Sequence, residues 1–116
     1  MILPDMKKQK IKIEKNVPLI VPDRSDARVG SGCVSMAGHD EGICFIVIAG
    51  VDRDHVYVAD GKARKLIAPK KKKMRHLSMI TKLSEQTTEI LKSGVYNDSF
   101  LRKEISMVLQ GKANLI

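Results

Sequence analysis

Between Lys62 and His76 the chain carries Lys62, Arg64, Lys65, Lys70, Lys71, Lys72, Lys73 and Arg75, eight cations without a single acid. Cations at this density repel one another unless an anion lies among them. A phosphate backbone suits such a run, because closely spaced cations displace its condensed counterions. In that reading Lys62, Arg64, Lys65 and the Lys70–Lys73 run touch phosphates. Arg75 forks onto phosphate or stacks on a base, and His76 completes the set. The plain alternative is a solvated basic loop. The run follows a strand-like segment, which favours a contact surface for nucleic acid.

Other residue types that do chemistry are present but poorly arranged. Cys33 and Cys44 stand apart across a loop, and no C-x-x-C or H-x-x-x-H spacing accompanies the three histidines. A metal site therefore finds no ligand set, and both cysteines read as small core residues. A hairpin pairing Ala37 with Ile43 would put Cys44 opposite Met36, away from Cys33. Asp40, Glu41, Asp52 and Asp54 fall in turns, where carboxylates commonly bond their own backbone. Gly30-Ser31-Gly32 is too short for a phosphate-cradling loop. The expectation is a protein that is not an enzyme, with no cofactor and no small-molecule substrate. Tyr57 and His55 could together stack a base, but the simpler reading has Tyr57 covering the end of a β structure with its hydroxyl in water.

Composition narrows the classes further. The chain has 116 residues, with 21 Lys+Arg against 13 Asp+Glu, a net charge of +8. The excess is local: residues 32–61 hold one cation and five acids, whereas the fifteen residues 62–76 carry a charge equal to the whole excess. There is no Trp, and there are two Tyr and two Phe, which argues against a site built on many stacked aromatics. The densest apolar run, Ile43 to Val51, is nine residues. A membrane span needs about twenty, so no membrane partner is expected. Met1 to Asp5 shows no basic stretch leading into an apolar one, and two cysteines make no disulfide framework. These features predict a cytoplasmic protein.

The elements that must position the basic run follow from turn residues and periodicity. Residues 1–31 read as a basic arm punctuated by Pro4, Pro18 and Pro22, with a short edge strand around Ile11 and Ile13 or no order at all. Residues 32–80 alternate in the manner of β structure. Cys33–Ala37, Ile43–Ala49, His55–Ala59, Ala63–Ala68 and His76–Ile80 are the predicted strands. Ile43–Ala49 is apolar on both faces and should be covered on both sides. Asp60-Gly61 predicts a two-residue hairpin turn, and Pro69 ends the strand that returns from it. Five short strands joined by tight turns describe a small closed or nearly closed barrel. Residues 81–116 switch to helical period. Leu83, Thr87, Ile90 and Leu91 share one face before Gly94. After a cap at Asn97 or Asp98, Leu101, Ile105, Val108 and Leu109 share another before Gly111.

Gly32 to Gly42, with Val34, Gly38, His39 and Asp40 between them, followed by Ile43–Val47, resembles a KOW motif. This is the β-loop-β unit of several ribosomal proteins and transcription elongation factors. Val58-Ala59-Asp60-Gly61-Lys62, Arg64-Lys65-Leu66, Pro69 to Lys73 and His76-Leu77 are similar to words of a family of small bacterial KOW-domain RNA-binding proteins. That family is itself similar to a large-subunit ribosomal protein family of archaea and eukaryotes. Asn97 with Leu101-Arg102-Lys103 resembles its final helix, and the likeness spans residues 30–110. It implies a mainly β fold, a five-stranded SH3-like (KOW) barrel followed by two short C-terminal helices. It also implies binding to RNA, namely rRNA of the large ribosomal subunit, with ribosomal proteins as further partners and a role in translation. The sequence departs from the pattern at His39 and Glu41, where the family carries basic residues. Glu41 would repel phosphate, which moves the expected contact surface to Lys62–His76. Phe45 stands where many KOW motifs have glycine and reads as a core residue. Two other classes remain open: a protein-interaction module, and a transcription or translation regulator that visits RNA transiently.

Overall fold

The computed structural model describes residues 22–111. Its elements are strands β1 (Ser31–Ser35), β2 (Cys44–Asp52), β3 (His55–Ala59), β4 (Lys70–Lys73) and β5 (Leu77–Lys82), then helices α1 (Glu85–Ser93) and α2 (Asp98–Leu109). All pairings are antiparallel, in the order β4-β3-β2-β1-β5. The order places β4 and β5 at opposite edges, yet only one 3₁₀ turn, Met74–His76, joins them. In a flat five-stranded sheet the outer strands lie about 19 Å apart, whereas a three-residue 3₁₀ turn advances about 6 Å. The sheet must therefore roll. Bulges after Gly32 in β1 and at two places in β2 supply the extra twist.

The roll is open. β4 and β5 meet at a corner through the turn and form no ladder with each other, so the closed barrel anticipated from the turn spacing is corrected to a rolled, five-stranded antiparallel sheet. Its concave side encloses Cys33, Phe45, Val47, Val56, Val58 and Leu77. On its convex side Cys44, Ile46, Ile48 and Ala59 pack under Leu83, Leu91, Leu101 and Ile105. This two-sided burial is why Cys44–Gly50 is apolar at every position, and every one of those residues is buried. Phe45 is a core residue, fully buried.

Three local expectations are revised. Ala63–Ala68 forms no strand. The Asp60 carboxylate accepts the amides of Lys62 and Arg64 at 3.0 and 2.8 Å, and Asp60 and Gly61 donate to the Arg64 carbonyl. A side chain that ties up local amides competes with a ladder, so the chain makes a compact loop and pairs again at Lys70. Gly61 is at φ 77°, and a Cβ there would lie 2.3 Å from the Asp98 carbonyl oxygen. Pro69 consequently precedes β4 instead of ending a strand, a position an edge strand tolerates. The β1–β2 register pairs Val34 with Cys44, not Ala37 with Ile43. The two cysteines stay on opposite faces, and burial pushes the Cys33 thiol up to about 12. Finally, His76 belongs to the 3₁₀ turn, and the last strand starts at Leu77.

The helices begin and end where the side chains specify. Ser84 Oγ accepts from Thr87 N, Asn97 Oδ1 accepts from Phe100 N, and Gly94 closes α1 in the left-handed region. Their inward faces are narrower than expected. Thr88 and Leu91 are buried in α1 and Leu101 and Ile105 in α2, whereas Ile90 is exposed and Leu109 is 68% exposed. Of the stretch read as an arm, residues 22–31 are bound into the fold. Asp23 bridges to Gly50, Val29 is fully buried, and Gly30 donates to Val47 and accepts from Leu83. The edge strand expected around Ile11 and Ile13 lies outside the described residues. Among the described residues no helix is long and apolar enough to cross a membrane.

Candidate nucleic-acid interface

Strand periodicity divides the lysine run. In β4, Lys72 pairs with Val56 and Lys70 with Val58, residues of the concave face, while Lys71 pairs with Tyr57 and Lys73 with His55 on the convex face. Successive side chains must take opposite sides, so four consecutive lysines on an edge strand cannot all reach one polyanion. Lys72 goes inward. Its side chain is 7% exposed, and its Nζ donates to Asp40 Oδ1 and to the Ala37 carbonyl, each at 3.0 Å. The expectation that Lys72 touches phosphate is thereby corrected.

Asp40 is the acid that makes this possible. It sits in the β1–β2 loop, 6% exposed, and also accepts from Ser35 Oγ at 3.0 Å. Burial pushes its carboxyl up, but the bonds from Lys72 and Ser35 outweigh that and hold it below the usual carboxylate range. Its second oxygen has no hydrogen bond and faces the Arg64 guanidinium at 3.9 Å. The pair spans the mouth of the roll, tying edge strand β4 to the loop that leaves β1.

That loop is folded on itself. Glu41 donates to Gly38, Gly42 to Ser35 and Ile43 to Asp40. Gly38 and Gly42 take φ of 87° and 90°, and His39 and Glu41 are exposed. These three amides are thus engaged within the protein. Gly32 and Val34 lie on the convex side of β1, with Gly32 pressed against Thr81 of β5.

The other cations of the run are more open to solvent, although Lys70 shares the concave face with Lys72. Lys62, Lys65, Lys71, Lys73 and Arg75 are exposed, and Lys70 and His76 are half-buried. Among the described residues, none of Lys62, Lys65, Lys70, Lys71, Lys73 or Arg75 forms an ion pair with an acid, whereas Arg64 and Lys72 both converge on Asp40. Lys62 borders a groove of about 420 Å³ with Arg102, Ile105 and Leu109. Lys73 and Arg75 flank a smaller hollow beside His55 and Asp54. The His55 ring is bonded to Asp52 Oδ1 at 2.8 Å. Tyr57 lines a cleft together with Tyr96, a residue that sequence reasoning missed because nothing local links positions 57 and 96.

The chain matches no known family model and no curated protein.

Proposed function

We propose that this protein is an RNA-binding module of the KOW type, with an SH3-like topology, that contacts phosphates through the outward cations of residues 62–75 and catalyses no reaction. The observation that carries this reading is the sorting of the basic segment. The fold pairs Lys72 with one buried acid, brings Arg64 within 3.9 Å of the same carboxylate, and leaves Lys62, Lys65, Lys70, Lys71, Lys73 and Arg75 without a carboxylate partner among the described residues. Holding six like charges on one short stretch raises the self-repulsion of the folded state, a cost that a polyanion would relieve. The likeness of Ala59-Asp60-Gly61-Lys62 and Pro69–Lys73 to a ribosome-related family narrows the polyanion to rRNA of the large subunit.

Binding to a labelled RNA as a function of salt tests this. With five phosphate contacts, log K should fall against log salt with a slope of about −3.5 on single strands and about −4.5 on duplex. Lys71→Ala, Lys73→Ala and Arg75→Ala should each lower that slope by about 0.7–0.9. A slope near zero, or one untouched by all three substitutions, would remove the reading. Sedimentation of a lysate at low and high salt then distinguishes a ribosomal component, which stays with the large subunit, from a factor that salt strips away.

A protein-interaction role has one observation in its favour. β5 pairs with β1 alone among the described strands, and exposes Met79 and Ile80 along that sheet edge. An unpaired edge with apolar side chains is a template for strand addition. Its signature would be a salt-tolerant complex that survives nuclease.

A further inference from the structure

Both tyrosines of the chain, 39 positions apart, line one cleft of about 470 Å³ on the convex side of the sheet. Leu66, Pro69 and Ile48 complete its apolar wall, and Arg24 stands at its edge. The volume lies in the range of small-ligand sites. Each tyrosine is held from behind. Tyr57 belongs to β3, and Tyr96 packs on Phe100 with ring centroids 5.7 Å apart at 53°. Arg24 is positioned by Gly94 and Lys92. Its Nε donates to the Lys92 carbonyl at 3.3 Å, and a Cβ at Gly94 would lie 2.7 Å from the guanidinium carbon. Gly94 thus serves both the left-handed helix end and the close passage of Arg24.

The one charged residue that lines the cleft is a cation, Arg24. Two acids stand close by with their carboxylates engaged, Asp23 by Ser25 and Asp98 by the Leu66 amide at 2.8 Å. Lys71 is the cross-strand partner of Tyr57 on the same face, and Lys73 is the next residue of β4 on that face. A ligand that suits two tyrosine rings, a guanidinium and adjacent ammonium groups is flat, apolar on its faces and attached to an anion. We infer that this cleft seats a single unpaired base of an RNA strand whose phosphates run over Lys71 and Lys73.

This rests on the RNA-binding reading and sharpens it from duplex or phosphate recognition to single-stranded RNA with one base turned out. Stacking on aromatic side chains is sequence-tolerant, so the seat selects for strandedness more than for base identity.

The absence of Trp makes the test direct, since all near-ultraviolet protein emission comes from the two tyrosines in the cleft. A twelve-nucleotide single-stranded RNA is compared with an abasic oligomer of equal phosphate number. The expected result is a roughly 5- to 150-fold tighter complex with the RNA, accompanied by quenching of tyrosine emission that the abasic oligomer does not cause. Tyr57→Leu and Tyr96→Leu should bring RNA affinity down to that of the abasic oligomer, and Tyr96→Phe should retain most of it. Equal affinity for the two oligomers without quenching would refute the base seat while leaving phosphate binding in place. Binding of neither would overturn both readings. The comparison on the unsubstituted protein decides the matter even if a leucine variant fails to fold.

Discussion

Lys72 and Lys71 are neighbours of one residue type in one strand, and the structure gives them opposite work. Removing the Lys72 ammonium leaves Asp40, 6% exposed, with Ser35 Oγ as its one remaining hydrogen bond and Arg64 at 3.9 Å. Deleting one partner of a buried pair costs about 3–5 kcal/mol, a large share of the roughly 5–15 kcal/mol that hold a small domain. Lys72→Met should therefore lose about 3–5 kcal/mol in urea unfolding followed by circular dichroism at neutral pH. Lys71→Ala, on the open face, should stay within about 0.5 kcal/mol of the parent. The double substitution Lys72→Met with Asp40→Leu replaces charge by packing and should recover to within about 2 kcal/mol.

RNA titrations give the reciprocal pattern. At temperatures where Lys72→Met remains folded, its salt slope should equal that of the parent, while Lys71→Ala lowers it by about 0.7–0.9. Replacing all four lysines together would confound loss of contact with loss of fold. If Lys72→Met unfolded within about 1 kcal/mol of the parent and lost as much salt dependence as Lys71→Ala, the assignment of Lys72 to the interior would be wrong.

Other outcomes follow from the same geometry. Asp26, bonded through both oxygens to Arg28, is held down from 3.8 to about 2 chiefly by that guanidinium. A depressed carboxyl stabilises the fold fully above its unfolded value and stops doing so as pH falls through its folded value. The loss should fall between about pH 4 and pH 2 and amount to about 1–2 kcal/mol given partial exposure, and Asp26→Asn should abolish that window in acid titrations of stability. Gly50→Ala would drive a methyl into the Asp26 carboxylate, so it should destabilise by about 1–3 kcal/mol, and equal stability would show that the Asp26 side chain moves aside freely. Cys33, buried with its thiol raised by burial, should react with a thiol reagent only at the rate of opening, and Lys72→Met should speed that reaction at least tenfold. Glu41→Lys places a cation on the exposed loop and should steepen the salt slope by about 0.7–0.9 if the RNA path crosses the loop; an unchanged slope places the path on β4 and the Asp60–Pro69 loop alone.

Much of the architecture was legible in single residues. The doubly apolar run from Ile43 announces a strand covered on both faces, and Asn97 and Gly94 mark helix ends by their own chemistry. The signal failed where a side chain redirected the backbone. Asp60-Gly61 has the composition of a hairpin turn, but the Asp60 carboxylate takes two amides that a returning strand needs. It failed again where the proposed base seat draws on distant parts of the chain. Tyr96 and Arg24 carry no motif, and their meeting with Tyr57 is a product of the helix packing.

In the lysine run, charge density and strand period make different demands. Charge counting treats Lys70–Lys73 as one patch, and it is correct for a loop or a disordered tail. On a strand the period of two overrides it, because alternate residues must face the core side. A strand of consecutive lysines therefore requires a buried acid elsewhere, since an unpaired ammonium is not tolerated inside. Asp40 meets that requirement, in a loop whose glycines permit the turn that aims its carboxylate inward. Glu41, the acid that reads as an obstacle to phosphate, is exposed, while its neighbour Asp40 is the counter-ion that fixes the edge strand. The surface we propose for phosphate is accordingly smaller than the charge of the run, and more sharply placed, with Lys71 and Lys73 displayed on one face by the burial of Lys72 between them.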